Sequence, residues 1–243
     1  MPTGRLAGQS PVEAFATGLL GDWSAVAVGR ALESSVRWAS GAMLPEVCCS
    51  RATNRPVVSL TFDDGPHPEL TDAVLDVLAK HNARATFFLI GERVPGQERS
   101  VARIVDEGHE IGNHMMRDEP SILMPRDDFH RDLRATQDLL APYQQVRWWR
   151  PASGWFTSSM IRHAAGLGLR CALGTMAITD GPPPASESWR SSRLLAQLRP
   201  GSVAVLHEGT SERRDVVSTT DWLLSQMRQR GLSSVTLSEL AAA

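Results

Sequence analysis

The sequence contains little cysteine, and none of it follows a spacing that binds zinc or carries out redox chemistry. Its three cysteines are Cys48, Cys49 and Cys171, and none belongs to a CxxC pair. Adjacent cysteines rarely bridge each other, so we expect reduced thiols, which favours a cytoplasmic setting. A clear signal peptide is also missing, because the apolar run from Ala14 to Leu20 is short. We therefore predict a cytoplasmic protein, and the single lysine among many arginines indicates a GC-rich bacterial genome.

Other absences exclude whole classes of function. The formal net charge is −2 at pH 7, so no basic excess indicates a nucleic-acid partner. No apolar stretch reaches the length of about 18 residues that a membrane span needs. No GxGxxG motif follows a predicted strand, which leaves a dinucleotide-binding fold without support. The sequence carries no signal for an oligomeric state.

From residue 55 onward, short apolar strands alternate with amphipathic helices. We predict strands at 57–62, 85–90, 110–114, 146–150, 170–173, 202–207 and 234–236, and helices at 71–81, 100–107, 126–140, 158–165, 190–198 and 215–230. Seven strand–helix units favour an α/β barrel of parallel strands over an open sheet. Residues 1–52 differ in composition, and we predict an Ala-rich helical extension packed on a catalytic domain spanning residues 53–243.

The strongest chemical signal is the pair Asp63 and Asp64, which directly follows the predicted strand 57–62. Neighbouring side chains on a strand point to opposite faces, so the two carboxylates can serve different purposes. Both resist burial unless they are paired or bound to a metal. The carboxyl ends of the strands are where the active sites of α/β barrels lie.

Three further predicted strands also end in polar groups. His114 and Asp118 follow one strand four residues apart, and a helical turn there would put both on one face. With Asp64, they would offer one imidazole and two carboxylates, a set that suits zinc or a similar cation with a position open to water. Arg150 ends another strand, and His207 ends a third and suits a general acid. A barrel would gather these ends at one rim.

In the segment Thr61–Pro66 the chain resembles the first motif of the polysaccharide deacetylases, carbohydrate esterase family 4, also called the NodB-homology domain. The segment around His114 is similar to the second motif and Arg150–Gly154 to the third. Asp180 matches the fourth motif, and Val205–His207 the fifth. The motifs follow the family's order and cover about residues 55 to 240. The resemblance implies a distorted (β/α)7 barrel, similar to a TIM barrel.

The resemblance also implies a mechanism and a role for each matching residue. Members use one divalent metal, most often zinc, with Co²⁺, Ni²⁺ or Mn²⁺ as alternatives, to hydrolyse N-acetyl or O-acetyl groups on sugars. The implied roles are a general base at Asp63, metal ligands at Asp64 and His114, with Asp118 at the position of a third, a base-orienting arginine at Arg150, a general acid at His207 with Asp180 as its partner, and an oxyanion and substrate pocket from Ser153, Gly154, Trp155 and Leu206. The implied partner is an acetylated carbohydrate or another small substrate.

The chain departs from the family pattern at several of these positions. Asp118 stands where the family has its second histidine ligand, and Met115 replaces a hydroxyl residue. Ala152–Ser153 replaces Pro-Tyr, Gly181 replaces a tryptophan, and Val205 replaces a leucine, which predicts a wider acyl pocket. Two alternatives therefore stay open beside sugar deacetylation. One is hydrolysis of a cyclic amide or ureide, as in allantoinase-like members, and the other is a catalytically impaired binding domain.

Overall fold

The structure, a computed structural model, describes residues 47–177, 192 and 195–243. Most of the predicted N-terminal extension, part of the predicted helix at 190–198 and Asp180 lie outside the described residues. Within residues 1–52, Val47–Cys48 forms a strand that pairs with residues 171 and 172. The sheet therefore takes in residues that precede the predicted domain boundary at 53.

The described residues form one curled sheet of parallel strands. Its order is β1-β6-β5-β4-β3-β2-β8-β7, and β9 pairs with the start of β2. The strands are β1 (Val47–Cys48), β2 (Val57–Gly65), β3 (Ala85–Leu89), β4 (Glu110–Asn113), β5 (Trp148–Trp149), β6 (Arg170–Ala172), β7 (Met176–Ala177), β8 (Val203–His207) and β9 (Ser233–Ser234).

Helices cover the outside of the sheet and follow the strands along the chain. Their apolar residues recur at helical spacing, as in the first helix, where Leu70, Val74, Leu75 and Leu78 are buried. Within the described residues the α-helices are α1 (Leu70–Lys80), α2 (Glu98–Asp106), α3 (Arg126–Leu140), α4 (Ser158–Gly166), α5 (Asp215–Gln229) and α6 (Leu237–Ala241).

Strand β2 is the centre of the core. All its residues are buried, as expected for a parallel strand covered on both faces. Phe62 on β2 stacks on Phe87 of β3, with ring centroids 5.0 Å apart. Because β2 is held between β3 and β8, its last residues have a fixed position at the sheet edge.

Contacts between loops bring the two ends of the sheet order together. Ser50, just after β1, forms an antiparallel bridge with Ser202, just before β8. The Thr175 hydroxyl donates to the carbonyl of Cys49 at 2.8 Å, and the Val203 amide donates to the Thr175 hydroxyl at 2.9 Å. The prediction of a distorted, TIM-like α/β barrel is confirmed.

Most predicted elements are present with bounds that differ by a few residues. The helix predicted at 126–140 has those bounds in the structure. Strand β2 continues to Gly65 instead of ending at Phe62, so Asp63 and Asp64 lie on the strand itself. Strands β1 and β7 and helix α6 were not predicted, because two residues or a single helical turn are too short to show periodicity.

Candidate active site

Asp63 and His207 lie side by side at the carboxyl ends of two neighbouring strands. β2 and β8 are parallel, and their register places the Cα of Asp63 opposite that of His207. The Glu208 amide donates to the Asp63 carbonyl at 3.0 Å, which carries the pairing past the end of β8. A carboxylate and an imidazole from distant parts of the chain therefore share one edge of the sheet.

The other two strand ends reach the same edge through the backbone ladder. The amide of His114 donates to the carbonyl of Leu89 at 2.9 Å, and the amide of Arg150 donates to that of Asn113 at 2.9 Å. The end of β3 thus positions His114, the first residue after β4, and the end of β4 positions Arg150, the first residue after β5. His114 and Arg150 are 3% exposed, so both side chains point into the protein at this edge.

Asp63 is held by a buried arginine. Arg150 donates from Nη1 to Oδ1 of Asp63 at 2.5 Å and to the hydroxyl of Thr61 at 2.8 Å, and its Nε donates to the carbonyl of Ala172 at 3.0 Å. The guanidinium also lies over the ring of Phe88, 4.1 Å from its centroid. These contacts fix the orientation of the Asp63 carboxylate and offset the cost of burying its charge.

Asp64 faces His114 instead. Oδ1 of Asp64 lies 3.1 Å from Nε2 of His114, and Oδ2 of Asp63 lies 3.9 Å from the same nitrogen. Asp64 has φ 69°, a left-handed conformation that is uncommon outside glycine and that turns the side chain out of the strand pattern. The adjacent carboxylates thus have different nearest partners, because Asp64 departs from the strand conformation and not because of strand alternation.

Contact between Asp64 and His114 shifts the pKa of both groups. Burial alone would raise the pKa of Asp64, but the hydrogen bond with His114 and the positive charges of His114, His207 and Arg213 hold it well below its usual range. Burial alone would lower the pKa of His114, but the charge of Asp63 and the bond to Asp64 raise that pKa above its usual value. Both shifts favour ionised Asp64 beside protonated His114. A cation bound by the two side chains would take the place of the proton on His114.

Asp64 and His114 fit two ligands of a divalent cation. Nδ1 of His114 lies 2.8 Å from the carbonyl of Arg150, so a proton on Nδ1 leaves the lone pair of Nε2 for a metal. That carbonyl orients the ring, as a supporting group behind a metal ligand does. Within residues 47–177, 192 and 195–243, no group of three or more His, Cys, Asp or Glu side chains is placed to hold a metal.

Asp118 lies apart from this pair. Its side chain is 47% exposed, and its Oδ2 lies 3.4 Å from Nη2 of Arg93. No helical turn follows His114, because Met115 has φ 70° and the next residues form bends. The condition under which His114 and Asp118 would share one face is therefore not met. Without that turn, the four-residue spacing does not bring Asp118 to the side of His114.

Two arginines donate hydrogen bonds to Asp64, one to its carboxylate and one to its backbone carbonyl. Arg213, in the short turn Ser211–Arg213 after β8, donates from Nη1 to Oδ2 of Asp64 at 2.6 Å. Arg93 donates from Nη1 to the Asp64 carbonyl. A Cβ at Gly209 would collide with both Arg93 and Asp64, so glycine is required there. We did not predict either arginine, because no motif in the sequence marks them.

The remaining predicted residues have different surroundings. Ser153 is exposed and has φ 65°, and the Gly154 amide donates to the carbonyl of Pro151 at 2.9 Å. Trp155 is half-buried in the same turn. Leu206 is 1% exposed and packs in the main hydrophobic core, so its side chain does not face an open pocket.

A buried acid beside the site was not predicted to have a role. Glu208 directly follows His207, is fully buried, and accepts a hydrogen bond from the Thr71 hydroxyl at 3.0 Å. Its Oε2 has no hydrogen-bond partner among the described residues. Burial, opposed by the Thr71 hydrogen bond and reinforced by the charges of Asp64 and Asp63, raises the pKa of Glu208 to about 8. The sequence signal that could have indicated Glu208 is its position as an acidic residue directly after the apolar strand β8.

The family model for polysaccharide deacetylase matches residues 50–172. The chain belongs to the polysaccharide deacetylase family. The predicted family is thus confirmed, and with it the class of hydrolases that act on the carbon–nitrogen bonds of acetylated sugars.

Two relatives of this polysaccharide deacetylase family member have named activities. A peptidoglycan-N-acetylglucosamine deacetylase of Bacillus cereus is 30% identical over 190 residues, which cover 77% of this chain and 89% of the relative. A chitooligosaccharide deacetylase of Sinorhizobium fredii is 35% identical over 173 residues, which cover 70% of this chain and 79% of the relative. Both matches therefore extend over most of each protein.

Solved structures with this fold include proteins named as enzymes and one named as a pseudoenzyme. A peptidoglycan N-acetylglucosamine deacetylase complex superposes with a TM-score of 0.78 at 28% identity, over 84% of this chain and 96% of that one. A cobalt-bound acetyl xylan esterase from Clostridium thermocellum gives 0.71 at 29%, over 76% and 90%. A family 4 pseudoenzyme from Bacillus anthracis gives 0.72 at 25%, over 80% and 68%.

No helix among the described residues is both long enough and apolar enough to cross a membrane.

Proposed function

We propose that this polysaccharide deacetylase family member removes the acetyl group from an N-acetylated amino sugar in an oligosaccharide or polysaccharide. The contact of Asp63 with Arg150 and its position opposite His207 in the strand register carry the proposal, because hydrolysis of an amide needs a base and a separate acid on one substrate. The named activities of the Bacillus and Sinorhizobium relatives support an N-acetyl sugar as the substrate.

In this proposal each residue of the candidate site has one role in the reaction. Asp63 takes a proton from the attacking water, while Arg150 orients the Asp63 carboxylate by its 2.5 Å contact. His207 gives a proton to the departing amine. Asp180, which lies outside the described residues, keeps the role that the family resemblance implies, as the partner of His207. The Ser153 amide, with Gly154 and Trp155 beside it, would contact the acetyl oxygen and the sugar ring.

A divalent metal, zinc in the first instance, would be held by Asp64 and His114. When bound, it would polarise the acetyl carbonyl and lower the pKa of a water molecule. The cobalt ion in the related esterase supports a metal at such a site. For Asp118 to become a third ligand, its carboxylate would have to leave Arg93.

A panel of substrates tests the proposal. Chitooligosaccharides, peptidoglycan fragments, O-acetylated xylan and cyclic ureides would be incubated with the zinc-loaded protein, and acetate and ring-opened products measured. The proposal predicts acetate release from an N-acetylated glycan at a rate well above that of the D63N variant. Ring opening of ureides without acetate release would instead support the allantoinase-like alternative.

The alternative of an impaired binding domain has one observation in its favour. Arg213 and Arg93 contact the carboxylate and backbone of Asp64, while Asp118 is directed to Arg93. The pseudoenzyme neighbour supports the existence of such members. Protein purified without chelator that contains no metal, and that takes up none at micromolar zinc, would favour this alternative.

The cytoplasmic location stays a prediction that cell fractionation would test.

A further inference from the structure

A cavity lies between helices α3 and α4, and none of its lining residues belongs to the candidate active site. Its volume is about 250 Å³, below the range of about 300–1,000 Å³ that is usual for drug-sized ligands. Four of its lining side chains carry basic groups and the fifth a hydroxyl: Arg126, His130, Ser159, Arg162 and His163. A small polar ligand fits such a space better than a glycan chain.

Two histidines form one wall of this cavity. The rings of His130 and His163 stack in parallel, with centroids 3.5 Å apart and planes 3° apart. The edge of Phe129 contacts both rings, which holds the pair in place. Nε2 of His163 is buried and has no hydrogen-bond partner among the described residues. Buried polar atoms almost always have a partner, so a ligand or water in the cavity is expected to supply one.

The arginines at and near this cavity are not paired with carboxylates. In the described part of the chain, Arg126, Arg134 and Arg162 form no ion pair with a carboxylate. By contrast, Arg131 on α3 forms ion pairs with Asp128 at 2.7 Å and Asp132 at 3.3 Å.

The pKa of His163 reflects the same excess of positive charge. Burial lowers this pKa, and the charges of His130, Arg126 and Arg134 lower it further. All of the charged groups that shift it are therefore cationic, so an anion in the cavity would relieve their mutual repulsion.

The starts of the two helices that line the cavity lie at the same end of the barrel as the candidate active site. Arg126 is the first residue of α3, and Ser159 is the second of α4. These helices follow β4 and β5, whose carboxyl ends carry His114 and Arg150. Both helix starts therefore lie at the end of the barrel where those residues lie.

We propose that this cavity binds a phosphate group through the guanidinium groups of Arg126 and Arg162, the hydroxyl of Ser159 and Nε2 of His163. Planar guanidinium groups match the geometry of phosphate oxygens, and charge-assisted hydrogen bonds are about twice as strong as neutral ones. The phosphate has two candidate sources, free inorganic phosphate or the phosphoryl group of a phosphorylated sugar. Binding at this site does not depend on deacetylase activity.

Calorimetric titration of the metal-loaded full chain with inorganic phosphate, at constant ionic strength, tests this proposal. The wild-type protein should bind phosphate saturably, and the double variant R126Q/R162Q should bind it at least about tenfold more weakly. The control is R131Q, which removes one positive charge from the helix of Arg126 and should leave binding unchanged. A separate variant, S159A, should weaken binding by a smaller factor.

A second titration with N-acetylglucosamine 6-phosphate distinguishes the two sources. Tighter binding than that of inorganic phosphate identifies a sugar phosphate as the ligand, and equal binding identifies free phosphate. Uncharged N-acetylglucosamine should not compete with phosphate. Absence of saturable phosphate binding, or equal binding by wild type and a folded R126Q/R162Q protein, overturns the proposal. Phosphate bound at the metal would be unaffected by that double variant, so the two sites are separable.

Discussion

Arg213 donates a hydrogen bond to Asp64 at 2.6 Å, on the carboxylate oxygen that does not face His114. The other oxygen lies 3.1 Å from the imidazole. The carboxylate thus contacts a fixed positive charge on one side and the proposed cation position on the other. Like charges in a buried site repel, so Arg213 is expected to weaken metal binding.

Replacing Arg213 with glutamine should therefore raise the affinity for zinc by about tenfold, because a charge near the cation is removed. Competition against a chromophoric chelator measures this affinity without requiring activity. R214Q is the matched control, since Arg214 pairs with Glu69 at the surface. Equal zinc affinity of R213Q and wild type would mean that the Arg213 charge does not act on the site.

Arg150 should matter for its geometry as well as its charge. The variant R150K keeps a positive charge but loses the fork that contacts Asp63, Thr61 and the Ala172 carbonyl together. We expect kcat to fall by about a hundredfold, with zinc content unchanged, since Arg150 supplies only its carbonyl to the His114 ring. Steady-state kinetics with metal analysis checks this, and near-normal kcat in R150K would remove the orienting role.

Glu208 should make the metal-free protein less stable as pH rises. Its pKa is raised to about 8 in the folded state, against about 4.3 in an unfolded chain. Below the lower value both states are protonated and the stability is fully present. Between the two values the unfolded state releases a proton that the folded state keeps, so stability is lost as pH rises toward 8.

The near-isosteric variant E208Q has no proton to lose and should escape this effect. Urea unfolding of chelator-treated protein should give similar stabilities for both proteins near pH 4.5. At pH 8, E208Q should be more stable by on the order of 4 kcal/mol. A stability difference that does not change with pH would show that Glu208 is ionised in the folded protein.

The sequence was informative where local pattern determines structure. Helix α3 has its predicted bounds because its buried residues, including Phe129, Leu133 and Leu140, recur at helical spacing. Asp63 and Asp64 were recognisable because a β-branched, apolar run leads directly to two acids. The parallel barrel then followed from the alternation of strands and helices.

The parts that sequence reasoning missed depend on long-range contacts and on single backbone angles. The position of Asp118 follows from the positive φ of Met115, a residue type for which that conformation is uncommon. Arg213 reaches Asp64 from a position 149 residues away in the chain. Arg93 and Gly209 contribute only after the barrel forms, so no local pattern marks them.

The most direct test of the central claim is to measure zinc content and deacetylation together in the variant D63N. The account assigns Asp63 to proton transfer and Asp64 and His114 to metal binding, so D63N should keep near-stoichiometric zinc while acetate release from an N-acetylated oligosaccharide falls by at least about a hundredfold. Undiminished acetate release by zinc-loaded D63N would contradict the account.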